Sequence, residues 1–198
     1  MSNIKIQRLT GASILPYIDA LAELRITVFR EFPYLYDGSI EYEQKYLKRY
    51  TKSDETVVVL ALDGDKVVGA STGMPMKDED EMVWDAFVRA GLDKNEYFYF
   101  GESVLLAKYR GQGIGVRFFE EREAHAYTLG YEKTTFCAVD RPMDHPRRPA
   151  TYIPLHRFWN KRGYTEHPEL KATFKWQDLD EDQESEKSLT FWVKQRIG

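Results

Sequence analysis

Alternating and helical hydrophobic patterns divide the first third of the chain into recognisable elements. Apolar and polar residues alternate over 4–9, IKIQRL, which predicts a β-strand. Apolar residues recur every three or four positions over 11–32, which predicts a helix. A second helix is expected over 39–52 with Ser39 as its N-cap. Two β-branched runs within 56–76 flank Asp-Gly-Asp and predict a hairpin.

The remainder of the chain alternates strands with helices. The expected elements are a short helix over 79–90, a strand over 96–107, a helix over 113–129, a strand over 134–140, a short helix over 154–163 and a final hairpin formed by ATFKWQDL and SLTFWVKQ. The segment 96–140 is a βαβ unit, whose two strands should be parallel. The hairpins make the other pairs antiparallel. An α/β (α+β) fold with a mixed sheet is predicted, formed by one domain over 1–198.

Composition and charge narrow the functional class. Apolar residues make up 42% and charged residues 30% of 198 residues, as in ordinary soluble proteins. A net charge of −4 argues against a nucleic-acid partner. The N-terminus lacks a hydrophobic signal core and no apolar run approaches ~20 residues, so we expect a cytoplasmic protein without a membrane partner. Cys137 lies in the apolar run TTFCAV and is expected to be buried and inert. No Cys or His spacing indicates a metal site.

A glycine-rich turn, YRGQGIG over 109–115, separates the predicted strand 96–107 from the following helix. Free backbone N–H groups and the positive end of a helix dipole form an anion site at such a position. Glycine permits positive φ there and leaves room for a phosphate. A phosphate or pyrophosphate ligand is therefore expected. The spacing G-x-G-x-G differs from the dinucleotide fingerprint G-x-G-x-x-G, and no Lys-Ser/Thr follows as in a Walker motif.

The motif Arg110-x-x-Gly113-x-Gly115 resembles the acyl-CoA signature R/Q-x-x-G-x-G/A of the GCN5-related N-acetyltransferases (GNAT). Its place between a fourth strand and a third helix is similar too, and the resemblance extends over nearly the whole chain. It implies a mostly antiparallel sheet in which the strand before the motif splays from the next one. A narrower similarity is to acetyltransferase portions fused to carbon–nitrogen hydrolase domains, although no hydrolase partner is present in this sequence.

The resemblance also implies a cofactor, acetyl-CoA (coenzyme A), and the residues that contact it. Backbone amides of the turn would bind the pyrophosphate, and the strand before it would bind the pantetheine arm. Trp159 would pack beside the acyl arm or fill core. The implied cofactor-binding residues are Leu105, Leu106, Ala107, Arg110, Gly111, Gln112, Gly113, Ile114, Gly115, Val116 and Trp159.

Acyl transfer to an amine needs a group that accepts the amine proton and a donor for the departing thiolate. Glu102 is the candidate base, although a strand glutamate that pairs with an arginine is the alternative. Gly101 occupies another position where relatives keep a carboxylate. Trp159 stands where the family often uses an acidic tyrosine, four residues before Gly163. The remaining candidate acids are His156, Tyr152 and water, whereas Tyr164 is expected in the core.

Two unusual segments are expected to bind the acceptor. The aromatic and proline-rich end of the first helix contributes Arg30, Phe32, Tyr34 and Tyr36, and the loop 140–149 contributes Arg141 and His145. Three prolines stiffen that loop, and its cationic side chains suggest an anionic group on the acceptor or the cofactor 3′-phosphate. The alternative is a solvated basic loop that pairs with the acidic stretch 178–186.

These observations predict an acyl-CoA-dependent N-acetyltransferase that acts on a primary amine of a small molecule or peptide. A catalytically silent acyl-CoA-binding regulatory module is the alternative, because Trp159 replaces the usual acid. A nucleotide-binding oxidoreductase is a third, weaker reading. A homodimer and a monomer are alternative oligomeric states for this sequence.

Overall fold

An eight-stranded mixed sheet forms the centre of the computed structural model, which describes residues 4–196. The strand order is β1-β2-β3-β4-β6-β8-β7, and β5 pairs with β3. The strands are β1 (Ile4–Leu9), β2 (Val57–Asp63), β3 (Lys66–Pro75), β4 (Tyr97–Tyr99), β5 (Ser103–Leu105), β6 (Lys133–Val139), β7 (Thr165–Trp176) and β8 (Ser185–Gln195). The β4–β6 pair is parallel and the other pairs are antiparallel, which confirms the predicted mixed sheet.

Five α-helices cover the sheet within residues 4–196. They are α1 (Ile18–Phe29), α2 (Ile40–Leu47), α3 (Glu81–Arg89), α4 (Ile114–Thr128) and α5 (His156–Asn160). The expected helix over 11–32 was too long: Gly11–Tyr17 winds as a 3₁₀ helix before α1 begins. Pro16 lies inside that segment, and a proline ring cannot sit in the interior of a regular α-helix without a clash. Ser39 caps α2 as predicted, because its Oγ accepts a hydrogen bond from the Tyr42 N–H at 3.4 Å.

Successive residues of β2 point to opposite faces of the sheet, and the two faces are covered by different helices. Val58, Leu60 and Leu62 pack in one core with α1 and α2. Val57 and Val59 pack in a second core with Phe118 and other residues of α4. A third core lies under α3 on the same side as α1 and α2. We refer to these sides as the α1–α3 face and the α4 face.

The strand predicted over 96–107 is interrupted by a bulge at residues 100–102, which separates β4 from β5. A Cβ on Gly101 would lie 2.5 Å from the Tyr50 Oη and 2.7 Å from the Thr72 Oγ1, so only glycine fits there. The N–H of Phe100 still donates to the Thr135 carbonyl at 2.8 Å. Beyond that bond β5 pairs with β3 while β6 continues along β8, so the two parallel strands part as expected.

The C-terminal part of the chain differs from its prediction in length. Helix α5 has five residues, shorter than the predicted segment 154–163. Strand β7 begins at Thr165, directly after that segment, and its register shifts between His167 and Lys171. Pro168 lies inside this irregularity, because proline has no N–H to donate to the ladder. No helix in residues 4–196 has the length and apolar character needed to cross a bilayer.

Candidate active site

The glycine-rich turn presents a row of free backbone donors at the start of α4. Gly111 and Gly113 have φ of 76° and 82°, a conformation that side chains with a Cβ rarely adopt. Within residues 4–196, the amide N–H groups of Gly111 through Gly115 donate no hydrogen bond. Gly115 packs closely against α5 instead: a Cβ there would lie 3.3 Å from the Phe158 ring, which would have to move by a few tenths of an ångström. The turn can therefore bind an anion such as a pyrophosphate.

A groove of about 510 Å³ runs beside this turn, and its walls combine backbone with apolar side chains. It is lined by Ile4, Ile6, Gln112, Gly113, Ile114, Val116 and Arg117. The side chain of Arg110 turns away from it: its Nε donates to the Leu105 carbonyl at 3.0 Å and its Nη2 pairs with Glu31 at 2.7 Å. The predicted backbone contacts of Leu106 and Ala107 with a pantetheine arm remain predictions.

An aromatic wall lies on the α4 face where β6 leaves β4. Trp159 contacts Phe136 of β6 and Trp192 of β8, with ring centroids 5.1 and 4.9 Å apart. The exposed ring of His156 stacks on Trp159 at 5.7 Å. An indole N–H is a donor that does not ionise in water, so Trp159 cannot act as an acid. Its position beside the parted strands fits the predicted packing role.

Charged and phenolic groups, most of them buried and Tyr46 and Arg49 half-buried, collect on the opposite, α1–α3 face of the same bulge. We call this set the buried polar cluster: Arg25, Glu43, Tyr46, Arg49, Tyr50, Glu79, Tyr99, Glu102 and Cys137. Glu102 lies at its centre and pairs with the Arg25 Nη1 at 2.5 Å. Arg25 also forms an ion pair with Glu43. Burial would lower the Arg25 pKa, but the charges of Glu102, Tyr46 and Glu43 raise it well above its usual value.

A closed ring of hydrogen bonds holds Glu102 in place. Its N–H donates to the Thr72 Oγ1 at 3.2 Å, and Thr72 donates to the Tyr50 Oη at 3.1 Å. The hydroxyls of Tyr50 and Tyr46 are 3.2 Å apart, and Tyr46 donates to the Glu102 Oε2 at 3.3 Å. The ring passes through the space that a side chain on residue 101 would need. This geometry matches the alternative in which Glu102 is paired with an arginine.

Arg122 fixes the same bulge from the α4 face. Its side chain is fully buried, and Nη1 donates to the carbonyls of Thr72 and Glu102 at 3.1 Å each. Nη2 donates to the Ser103 Oγ at 2.9 Å. Burial away from water lowers the pKa of Arg122 to about 10. The sequence gives no sign of this role, since Arg122 reads as an ordinary polar residue of an amphipathic helix.

Glu79 is a carboxylate of the buried polar cluster whose burial the sequence does not reveal. Its Oε2 pairs with the Arg49 Nη2 at 2.8 Å, and Arg49 also reaches Asp80 at 3.2 Å. The Glu79 side chain is 3% exposed, and its buried Oε1 has no hydrogen-bond donor among the described residues. Burial raises the pKa of this carboxyl to about 7, although Arg49 and the Asp80 N–H act against the shift. In the sequence Glu79 belongs to the acidic run KDEDE, which is typical of a solvated surface.

Cys137 is buried, as predicted, and lies on β6 beside the parted strands. Its Sγ is 3.2 Å from the Tyr99 Oη. Burial raises the thiol pKa to about 12, so it remains protonated at neutral pH. Burial also raises the Tyr99 pKa well above its usual value, with smaller contributions from Cys137 and Glu79. Both side chains are therefore uncharged at neutral pH and border the buried polar cluster.

The molecule thus combines a glycine turn whose amides are free with parted strands. Polar groups lie beside the gap between β4–β5 and β6. The family model of the acetyltransferase (GNAT) family matches residues 19–164. The chain belongs to this family. A search of curated protein sequences found no match.

Solved acetyltransferase structures share the fold. Three of them are an N-acetyltransferase from Staphylococcus aureus Mu50 (14% identity, TM-score 0.62, 98% of this chain and 99% of that chain), an acetyltransferase from Streptococcus agalactiae 2603 (16%, 0.60, 98% and 99%) and a ribosomal-protein-alanine N-acetyltransferase from Brucella melitensis (18%, 0.59, 96% and 99%). The TM-scores show a common fold. At identities this low, the acceptor has to be inferred from the residues of this chain.

In this GNAT chain, the two segments predicted to bind the acceptor meet above the buried polar cluster and are tied together by Arg141. Its guanidinium forms a bidentate pair with Asp178, at 2.7 and 2.9 Å. It also donates to the carbonyls of Pro33 and Tyr34, at 2.7 and 2.8 Å. Arg147 similarly pairs with Asp180 at 3.4 Å. The expectation that Arg141 contacts an acceptor anion is therefore corrected: this basic loop pairs with the acidic stretch.

The other predicted acceptor residues form an aromatic cover over the cluster. The Phe32 ring contacts those of His145 and Tyr152, with centroids 5.6 and 4.7 Å apart. The Tyr34 ring contacts those of Phe29 and Trp176, with centroids 4.7 and 5.9 Å apart. Burial raises the pKa of its hydroxyl, and the nearby Cys137, Glu102 and Tyr152 add to the shift.

The remaining candidates occupy different positions. Arg30 pairs with Asp37 at 2.8 Å on the surface. The backbone of Tyr36 forms a bridge with Asp178. Burial raises the pKa of the Tyr36 hydroxyl, to which Glu43 also contributes. Among the candidate catalytic residues, Glu102 and Tyr152 share the α1–α3 face, whereas His156 lies on the α4 face.

Proposed function

We propose that this GNAT chain transfers an acetyl group from acetyl-CoA to a primary amine of a small molecule or peptide. The observation that carries the proposal is the run of five free amide N–H groups, Gly111 through Gly115, beside the parted strands β4–β5 and β6. A diphosphate fits these donors, because the open positions beside Gly111 and Gly113 leave its approach unobstructed. When bound, acetyl-CoA would supply the acyl group as a thioester.

The cofactor and the acceptor amine would bind on opposite faces of the bulge. The turn and the aromatic wall at Trp159 lie on the α4 face, and would hold the nucleotide and its arm. The buried polar cluster lies on the α1–α3 face, from which the amine would approach. The amine nitrogen bonds to the acyl carbon while the carbon–sulfur bond breaks. The amine loses one proton and the sulfur gains one, giving an amide and a free thiol.

Within this division, we assign Glu102 a positioning role. Its carboxylate pairs with Arg25 and accepts a hydrogen bond from Tyr46 in the closed ring. These contacts orient the bulge and occupy the carboxylate, so it is poorly placed to accept a proton from the amine. His156 is better placed than Tyr152 to deliver a proton to the sulfur. It is exposed on the α4 face and stacks on Trp159, whereas Tyr152 belongs to the cover of the opposite face.

An acceptor screen tests the proposal directly. The purified protein, acetyl-CoA and a panel of amines, amino acids and peptides are combined, thiol release is followed, and the acetylated product is identified by mass. We expect thiol release that depends on one class of amine. Tight acetyl-CoA binding by calorimetry without turnover on any acceptor would support the silent binding module instead, the function suggested by Trp159 at the usual acid position.

A further inference from the structure

The buried polar cluster contains more carboxylates than guanidinium groups. Arg25 is shared by Glu43 and Glu102, and Arg49 is shared by Glu79 and the exposed Asp80. A buried carboxylate is unfavourable unless a cation or several donors offset its charge. Leaving aside Asp80, which lies outside the cluster, there is therefore one more negative than positive group among these side chains, and an additional cation would balance it.

Glu79 is the candidate partner for that cation. Its second oxygen, Oε1, is buried and receives no hydrogen bond from the described residues. The Oε1 atoms of Glu43 and Glu102 are also buried without a hydrogen bond, but both of these carboxylates pair with Arg25, whereas Glu79 shares Arg49 with the exposed Asp80. Its charge contributes to the raised pKa values of Tyr50, Tyr99 and Cys137, after the larger effect of burial on each. The carboxylate thus faces the interior of the cluster, where Tyr99 and Cys137 border the parted strands.

We propose that the buried polar cluster is the acceptor site, that it takes a compact primary amine with no anionic group, and that Glu79 binds the ammonium of that amine. This inference rests on the proposed acetyl transfer and specifies its acceptor. An ammonium can donate to the free Oε1 and supply the missing positive charge. An acceptor carboxylate would instead meet Glu43, Glu79 and Glu102 without a free arginine.

The cover over the cluster restricts the size of the acceptor. Arg141 holds the carbonyls of Pro33 and Tyr34 against the loop after β6, and Asp178 fixes Arg141 in turn. The Glu102 side chain is 5% exposed, so little of the cluster is open to solvent. A small amine can pass beneath such a cover, whereas a folded protein surface would need it to open.

Glu79 can also receive the proton that the ammonium must lose. The proton moves from nitrogen to Oε1, leaving a neutral amine and a carboxylic acid, which later releases the proton to water. The titratable and charged groups that face Glu79 are Arg49, Tyr46 and Tyr50 from α2 and the turn after it, Asp80 before α3, Tyr99 from β4, Glu102 from the bulge and Cys137 from β6. Burial raises the pKa values of the tyrosines and the thiol, which stay neutral near pH 7, and raises the pKa of Glu79 to about 7, so this carboxyl changes charge near neutral pH.

Three amines of equal chain length test the acceptor class: butylamine, 1,4-diaminobutane and 4-aminobutanoate. A short peptide with a free N-terminus is the fourth probe. The kcat/KM of each is measured at saturating acetyl-CoA for the natural chain, Glu79→Gln and Asp80→Asn. Asp80 is the matched control, because it neighbours Glu79 and shares Arg49, but its side chain is 68% exposed. Acetyl-CoA affinity by calorimetry shows that each variant remains folded.

For the natural chain, we expect 4-aminobutanoate and the peptide to have kcat/KM values at least about ten-fold below butylamine, because an unpaired buried charge disfavours binding. Glu79→Gln should lower the butylamine value by about ten-fold or more and remove the fall in rate below pH 7, whereas Asp80→Asn should remain within about two-fold. A preference for 4-aminobutanoate or the peptide, or an unaltered pH profile in Glu79→Gln, would overturn the assignment while leaving acetyl transfer intact. A natural chain that binds acetyl-CoA but neither binds nor acetylates any amine would refute both proposals.

Discussion

Arg122 and Glu102 meet across the sheet: the Arg122 Nη1 on the α4 face donates to the main-chain carbonyl of Glu102 at 3.1 Å. The side chain of Glu102 points to the other face and pairs with Arg25. The bulge between β4 and β5 is thus held from both sides. Because the parting of β4–β5 from β6 depends on this bulge, two buried arginines determine the shape of the proposed acyl site.

Replacement of Arg122 should destabilise the whole protein. Arg122→Met leaves the carbonyls of Thr72 and Glu102 buried without this donor, and we expect the free energy of unfolding to fall by about 3 kcal/mol. Urea denaturation measures the change. Arg117→Met is the control, because Arg117 lies on the same helix with an exposed side chain and should change stability by less than about 0.5 kcal/mol. Equal stability of the two variants would contradict the role of Arg122.

The conformation of Gly113 is expected to matter for binding beyond its effect on stability. Gly113→Val places a branched side chain at φ 82° and beside the row of free amides, so acetyl-CoA affinity should fall by about 100-fold or more. Gly91→Val is the control, since Gly91 has a similar φ of 74° at the remote end of α3. Both variants should be slightly destabilised, and calorimetry should show lost affinity in the first alone. Retained affinity in folded Gly113→Val would count against the site.

The raised pKa of Glu79 predicts a pH effect on stability. The folded carboxyl titrates near pH 7 and the unfolded one near 4.5, so the folded state holds an extra proton between these values. The natural chain should therefore lose stability as the pH rises from 4.5 to 7, by at most roughly 3 kcal/mol, and then level off. Glu79→Gln should lack this loss. Urea denaturation at pH 5 and pH 8 measures it, with Asp80→Asn behaving as the natural chain.

Glu102→Gln separates a positioning role from a proton-accepting one. The amide keeps the shape of the side chain but weakens its pairing with Arg25, so the bulge should be less well ordered. We expect kcat/KM to fall by a similar factor, about ten-fold, at every pH between 6 and 9. If the substitution instead removed the fall in rate at low pH and so changed the shape of the pH profile, Glu102 would be the base.

The sequence predicts the order of the strands and helices well, because alternation and helical spacing follow directly from which side chains face the core. It also locates the glycine-rich turn proposed to bind the diphosphate, since Gly111 and Gly113 are local requirements of the backbone. The break between β4 and β5 was missed. It depends on Tyr50 and Thr72, which approach Gly101 from distant parts of the chain and leave no local signal.

The polar part of the site was the least predictable. The ion pairs of Arg25 and Arg49 and the hydrogen bonds of Arg122 join residues that are distant in sequence, and each arginine resembles a surface residue of an amphipathic helix. Arg141 was assigned to the acceptor because its loop is basic and rich in proline. Its partner Asp178 lies beyond the last helix, and no local pattern reveals that the two form a buried pair.

The crowding around Gly101 restricts how this site can evolve. A carboxylate at position 101 would coincide with the Tyr50 hydroxyl, so it cannot arise by a single substitution without a steric clash. Loss of that hydroxyl alone would in turn open the ring around Glu102. Positions 50 and 101 should therefore vary together among descendants of this protein or remain as they are.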